Sequence, residues 1–234
     1  MSTLYVVGTP IGNLEDVTLR ALRVLKEVDV ILCEDTRVTQ KLLGKYAILN
    51  KQLATYNEQD SGVTADKIIG WLREGKNVAL VSDAGTPGIS DPGSMLVQKV
   101  REHFCATPGV AQEVKIESVP GPSALTAALS IAGVPIHDFV FLGFLPHKKG
   151  RETLFKEIAA SERTMIFYES PHRILKALES LEKFAPSKKV TIARELTKIH
   201  EEIKSGTPAE LLEFFKTNEE KVRGEFVVFV NSLM

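Results

Sequence analysis

The sequence predicts an α/β protein of two domains, the first built on a mainly parallel sheet and the second on a mixed sheet. Three observations carry this. Strand-length apolar runs alternate with amphipathic stretches through the first half. The run Pro120-Gly121-Pro122 then interrupts the pattern with a stiff, non-helical joint. A second alternation follows, with only one short helix between its last strands. The expected domains are 1–119 and 120–234, each of ordinary size.

In the first half, strands are expected at Thr3–Gly8, Val28–Glu34, Lys51–Asn57, Asn77–Ser82 and Val114–Val119. Helices are expected at Val17–Val28 and at Ala65–Gly75, where Ala65, Ile68, Ile69 and Leu72 recur at i, i+3, i+4, i+7. Asp35 or Thr36 is placed to cap a helix over Arg37–Tyr46, and Asp91 followed by Pro92 reads as an N-cap with proline at the first helical position. Ser123 is placed to cap a helix of small residues. In the second half, strands are expected at Phe139–Phe144, Thr164–Glu169, Lys189–Glu195, His200–Gly206 and Glu225–Asn231, with helix starts at Ser170-Pro171 and Thr207-Pro208.

Composition narrows the class. A hydrophobic fraction of 44% and a charged fraction of 25% are those of an ordinary globular protein. The two cysteines, Cys33 and Cys105, make no disulfide framework, and neither cysteine nor histidine spacing suggests a metal site. No apolar run approaches the length of a membrane span, and the N-terminus enters a strand without a basic leader, so a cytoplasmic location and no membrane partner are expected. A net charge of −1 provides no global field for a polyanion, which would need a local basic patch.

The stretch Val78–Gly93 is the richest in chemistry. A buried strand runs into Asp83 and then into Gly85, Thr86, Pro87 and Ile89 before the next helix, and ligands bind outside the carboxyl ends of parallel strands. Glycines there let a backbone approach a ligand closely. The first loop, Gly8–Asp16, invites a dinucleotide reading with Glu34 as the ribose acid. However, its glycines are spaced G-x-x-x-G around Pro10 and Ile11, and Glu15 and Asp16 would face a pyrophosphate. Glu34, Asp35 and Arg37 bring two carboxylates and a guanidinium to the end of the second strand; a capped helix start explains them equally well. His147, Lys148, Lys149 and Arg151 form a basic loop, either solvated surface or a phosphate-contacting patch. No G-x-S-x-G or G-x-x-x-x-G-K is present.

Taken together, TLYVVGTPIGNLEDVTLRAL, CEDTR, VALVSDAGTPGISDPG, VPGPSALTAAL, GFLPHKKGR, FYESPHR and ARELTK resemble the tetrapyrrole-methylase superfamily over nearly the whole chain. Within it they resemble the 16S ribosomal RNA (cytidine-2′-O)-methyltransferases. Tetrapyrrole-acting relatives usually carry G-D-P where this chain has Gly85-Thr86-Pro87. The resemblance implies a homodimeric enzyme that uses S-adenosyl-L-methionine to methylate the ribose 2′-oxygen of a cytidine in 16S rRNA of the small ribosomal subunit. It implies cofactor contacts at Pro10, Ile11, Asp83, Gly85, Thr86, Pro87, Ile89, Ser123, Ala124, Tyr168, Glu169, Ala193 and Arg194. Asp35 or Glu34 is the expected base, with Arg37 on a phosphate and Glu195 as a further candidate base; His147, Lys148, Lys149 and Arg151 are expected on the RNA. Longer members carry a C-terminal extension, and RNA contacts made there are expected to be missing here. Methylation of a tetrapyrrole ring carbon is the alternative on the same fold, and a dinucleotide-dependent reductase or nucleotide-binding module the alternative from another class.

Overall fold

The computed structural model describes residues 1–56, 63–105, 114–134 and 137–231, with Cys105 described by its backbone alone. Asn57, the expected end of the third strand, lies outside the described residues. Contacts divide the chain into two units, Met1–Ser123 and Ala124–Met234.

The first unit holds five strands, β1 (Ser2–Val7), β2 (Val30–Cys33), β3 (Gln52–Thr55), β4 (Val78–Leu80) and β5 (Val114–Val119). All its pairings are parallel, in the order β3-β2-β4-β1-β5. Side chains alternate between two apolar layers, as the strand period requires. Leu4, Val30, Leu32, Val78 and Leu80 pack with α3 (Ala65–Arg73) and α4 (Gly93–Cys105). Val7, Ile31, Cys33, Ala79 and Val81 pack with α1 (Leu19–Glu27) and α2 (Thr36–Lys45). The chain therefore leaves β1 and β2 toward one face and leaves β4, which lies between them, toward the other. Such a reversal opens the ligand crevice of a doubly wound sheet.

Several ends differ from expectation for local reasons. The first helix starts at Leu19 because Thr18 accepts from the Ala21 N–H, while Leu14–Asp16 forms a separate 3-10 turn. The second strand starts at Val30 because Val28 still closes the preceding helix through its N–H to Val24 O. Asp91 Oδ1 accepts from the Gly93 N–H at 2.7 Å, so it acts as the expected cap.

Gly8 and Gly121 meet backbone to backbone. A Cβ built on Gly8 would stand 2.7 Å from Gly121 Cα, and one on Gly121 would stand 2.8 Å from the Gly8 carbonyl oxygen. Neither backbone has a flexible end that could give way. Gly121→Ala should therefore cost about 1–3 kcal/mol, as overpacking does. Gly44→Ala, in α2 with nothing within 4 Å of the added carbon, should gain about 0.5–1 kcal/mol. Urea unfolding of the two variants measures the contrast, and equal midpoints would refute it.

The second unit holds a sheet in the order β6-β7-β10-β8-β9, from β6 (Phe139–Phe144), β7 (Thr164–Glu169), β8 (Lys189–Arg194), β9 (Glu202–Gly206) and β10 (Phe226–Asn231). β6 and β7 run parallel and the other pairs antiparallel, the expected mixed sheet. α6 (Arg151–Ala160), α7 (Ile174–Phe184) and α8 (Pro208–Thr217) cover one face through Phe155, Leu178, Leu181, Leu211 and Phe215. α5 (Ala124–Ile131) contacts β10. Thr207 and Glu210 form a reciprocal capping box with Pro208 behind it, as the Thr-Pro signal predicted. After Ser170-Pro171, a turn intervenes before the helix begins, and residues 198–201 fold into a turn before β9.

Candidate active site

The loop after β4 is braced to its neighbours. Thr9 and Gly85 exchange backbone hydrogen bonds of 2.8 and 3.1 Å, and the Thr9 hydroxyl donates to Ser82 O at 3.0 Å. The Thr86 hydroxyl donates to Pro122 O at 3.1 Å. Gly85 has φ +90°, a conformation that glycine adopts without strain, and its missing side chain would point at Ile11 and Pro122. Ile11, Gly85, Thr86, Pro122 and Ser123 are thus brought together within the first unit. Pro10 and Pro87 are buried beneath the loop surface, whereas Ile89 is exposed beside Ser90, a non-glycine residue at φ +67°. Such strain collects at ligand sites.

On the other side of β4, three carboxylates converge. Asp83 Oδ1 accepts the Asp35 N–H at 3.0 Å, and Glu34 Oε1 accepts the Asp83 N–H at 3.4 Å. Each loop's backbone is therefore held by the other loop's acid. Burial, then the Asp83 charge, pushes the Glu34 carboxyl above the usual range. Burial, then the neighbouring Asp35, raises Asp83 as well. Asp35 behaves oppositely: its hydrogen bonds to the Arg37 side chain and backbone hold it down at about 2. It accepts two Nε contacts at 3.0 and 3.1 Å and an Nη2 contact at 2.6 Å, and it caps α2 through the Arg37 N–H. The helix-cap explanation of Asp35 holds, and a carboxylate so paired is a weak base. The Arg37 side chain is 84% exposed, which leaves its outer edge open to a phosphate.

In the second unit, several residues expected on the cofactor are held by partners within the fold. The Glu169 side chain is 0% exposed and accepts from Arg151 at 3.1 Å, from Arg173 at 2.7 Å and from the Ser170 N–H at 3.0 Å. Those arginines also grip main-chain carbonyls, Arg151 at Pro146 O and Arg173 at Leu145 O. Arg151 is therefore not part of an exposed patch with His147, Lys148 and Lys149; it anchors the base of their loop. Arg173, in the FYESPHR run but given no role from the sequence, reaches Glu169 across the turn that follows β7. Ala193 is buried within β8, and Arg194 is turned onto Glu202 at 2.8 Å.

Tyr168 sits edge-on to Phe141 and Phe144, and its hydroxyl accepts the Leu125 N–H at 3.0 Å. That amide belongs to the start of α5, just after Ala124, so Tyr168 satisfies one of the donors that a helix start leaves open. Glu195, at φ +51°, lies over Gly224 and pairs with Lys198 at 2.9 Å. Among the described residues no three His, Cys, Asp or Glu side chains cluster as metal ligands, and no helix is long and apolar enough to cross a membrane.

Known proteins bear on this geometry. The tetrapyrrole (corrin/porphyrin) methylases match residues 3–212. Ribosomal RNA small subunit methyltransferase I of Thermotoga maritima is 45% identical over 231 residues, which cover 99% of both chains. The protein of that name from Escherichia coli O157:H7 is 45% identical over 229 residues, 97% of this chain and 77% of its own. Among solved structures, uroporphyrin-III-C-methyltransferase of Thermus thermophilus superposes with a TM-score of 0.67 at 21% identity, over 99% of this chain and 94% of that one. A complex of the Thermus thermophilus enzyme with S-adenyl homocysteine superposes with a TM-score of 0.62 at 20% identity, over 98% and 97%. The chain belongs to the tetrapyrrole (corrin/porphyrin) methylase family, and within it to the group named ribosomal RNA small subunit methyltransferase I.

Proposed function

We propose that the chain methylates the ribose 2′-oxygen of a cytidine in 16S rRNA of the small ribosomal subunit, with S-adenosyl-L-methionine as methyl donor. The observation that carries this reading is the match along 99% of both chains to the Thermotoga maritima protein of that name. The first unit's own chemistry supports it. Glu34 and Asp83 crowd two negative charges at the edge of the glycine turn, and a cationic sulfonium nearby would relieve that crowding. Gly85 carries no side chain between Ile11 and Pro122, which lets a flat adenine lie close to the loop backbone.

When bound, S-adenosyl-L-methionine supplies an electrophilic methyl group. The protein's part is to place the acceptor oxygen and remove its proton. A ribose hydroxyl is a poor nucleophile, so a base within hydrogen-bond reach accelerates attack. Glu34 suits the task better than Asp35, because burial and the Asp83 charge raise its carboxyl, whereas Asp35 is held down by the Arg37 guanidinium. Arg37 is free on its outer edge to hold a neighbouring phosphate.

The test is methyl transfer to small subunits that lack the modification, with nucleoside analysis of the product and calorimetric titration against S-adenosyl-L-methionine and NAD. The expected result is a 2′-O-methylcytidine and binding of the first ligand alone. Methylation of a tetrapyrrole with none on the subunit, or binding of NAD, would overturn the reading. We further propose a homodimer, supported by the exposed Ile131, Phe139 and Phe144, with sedimentation equilibrium as its measurement.

A further inference from the structure

We propose that the groove between α6 and α7 binds RNA phosphates, as an extension of the basic loop before α6; the inference rests on the RNA reading above. The groove measures about 440 Å³ and its walls include Lys148, Lys176 and Lys183, with Phe184 and the acids Glu152 and Glu179. Both acids are engaged with lysines outside the groove lining. Glu152 pairs with Lys156 at 3.2 Å, and Glu179 lies 3.9 Å from Lys216. Arg151 is spent on Glu169. Among the described residues no carboxylate is ion-paired with Lys148, Lys176 or Lys183. Lys183 instead lies 4.6 Å over the Phe184 ring.

Three exposed lysines along one channel, with no ion-pair partner among the described residues, are well placed for a polyanion. Lys176 and Lys183 stand two helical turns apart on one face of α7, about 10 Å along the axis. That separation spans successive phosphates of an extended strand rather than a single small anion. Lys148 stands on the loop whose base the buried Glu169 and its two arginines hold fixed. Cationic grooves with an aromatic floor take single-stranded nucleic acid through phosphate contacts and stacking. Such a surface also supplies the local patch that a net charge of −1 demands.

The experiment compares the full chain with the pair Lys176→Glu and Lys183→Glu, and with the milder pair Lys176→Gln and Lys183→Gln. Small ribosomal subunits lacking the modification are the substrate. Charge reversal should raise KM for the subunit tenfold or more while the affinity for S-adenosyl-L-methionine stays unchanged. The neutral pair should fall between, and its salt dependence should weaken by about 0.7–0.9 of a log unit for each phosphate that is no longer neutralised. Unchanged KM and unchanged salt slope in the neutral pair overturn the groove assignment, even where the charge-reversed chain misfolds. A wild-type chain that methylates no subunit sinks the RNA reading instead. Binding of protein-free 16S RNA then decides the groove separately, equal affinity of wild type and variants counting against it. Wild-type affinity for subunits but none for protein-free RNA would point to an acidic protein partner and would also overturn it.

Discussion

Glu34→Gln should reduce the rate of methyl transfer at saturating S-adenosyl-L-methionine by about 10²–10⁴-fold, the range a general base contributes. The substitution is nearly isosteric and keeps a carbonyl oxygen where Glu34 Oε1 accepts the Asp83 N–H, so the loop should hold its shape. Basicity is removed, together with one negative charge beside Asp83. Single-turnover rates against pH provide the sharper test. A base acts when deprotonated, so activity should fall as pH drops through the Glu34 pKa, which lies above that of an ordinary glutamate because of burial and the Asp83 charge. Removing that charge with Asp83→Asn should move the acid limb to lower pH. Asp35→Asn should do much less to the limb, since Asp35 already sits at about 2 under Arg37. A Glu34→Gln enzyme of wild-type rate, or a limb unmoved by Asp83→Asn, would remove Glu34 from the chemistry.

Glu169→Leu carries the largest expected loss of stability, about 3–5 kcal/mol, because it strands two arginines around a buried site. Arg151 and Arg173 are each 15% exposed and, among the described residues, ion-pair with no other carboxylate. The effect should reach the loop at 145–151, whose carbonyls at Leu145 and Pro146 those arginines hold. Thermal unfolding measures the loss, and hydrogen exchange across the loop separates it from a general softening. Replacing all three side chains by apolar ones of similar volume should recover part of the stability, because no charge is then left unpaired. A Glu169→Leu chain as stable as wild type would mean that the arginines find water.

Much of this was legible in the sequence because two periodicities do most of the work. β5, β6 and β7 occupy their expected residues, each a run whose apolar content ends at a proline, a glycine or a polar cluster. The capping chemistry of Asp35, Asp91 and Thr207 was equally readable, being local in sequence. What could not be read is what forms across distance. The division of labour between Glu34 and Asp35 depends on Asp83, far along the chain, and on an arginine two residues away choosing one acid over the other. The same holds for Glu169 and Arg151, whose charges looked available until the structure set them against each other. A charged residue at a strand end can face a ligand or a partner, and the sequence motif is the same in either case.

The strand orders carry a consequence for how the chain is made. β1 is synthesised well before its partners β4 and β5, with Leu4 beside Val78 and Ser2 beside Val114. It must therefore wait on the ribosome as an unpaired apolar segment until those later strands have been translated. In the second unit the delay falls later, because β10 lies between β7 and β8 and is synthesised after both. Non-local pairings of this kind fold slowly and expose open edges meanwhile. Translation halted before Phe226 would leave the second sheet without its middle, and nascent-chain proteolysis should find that half unprotected until β10 has emerged.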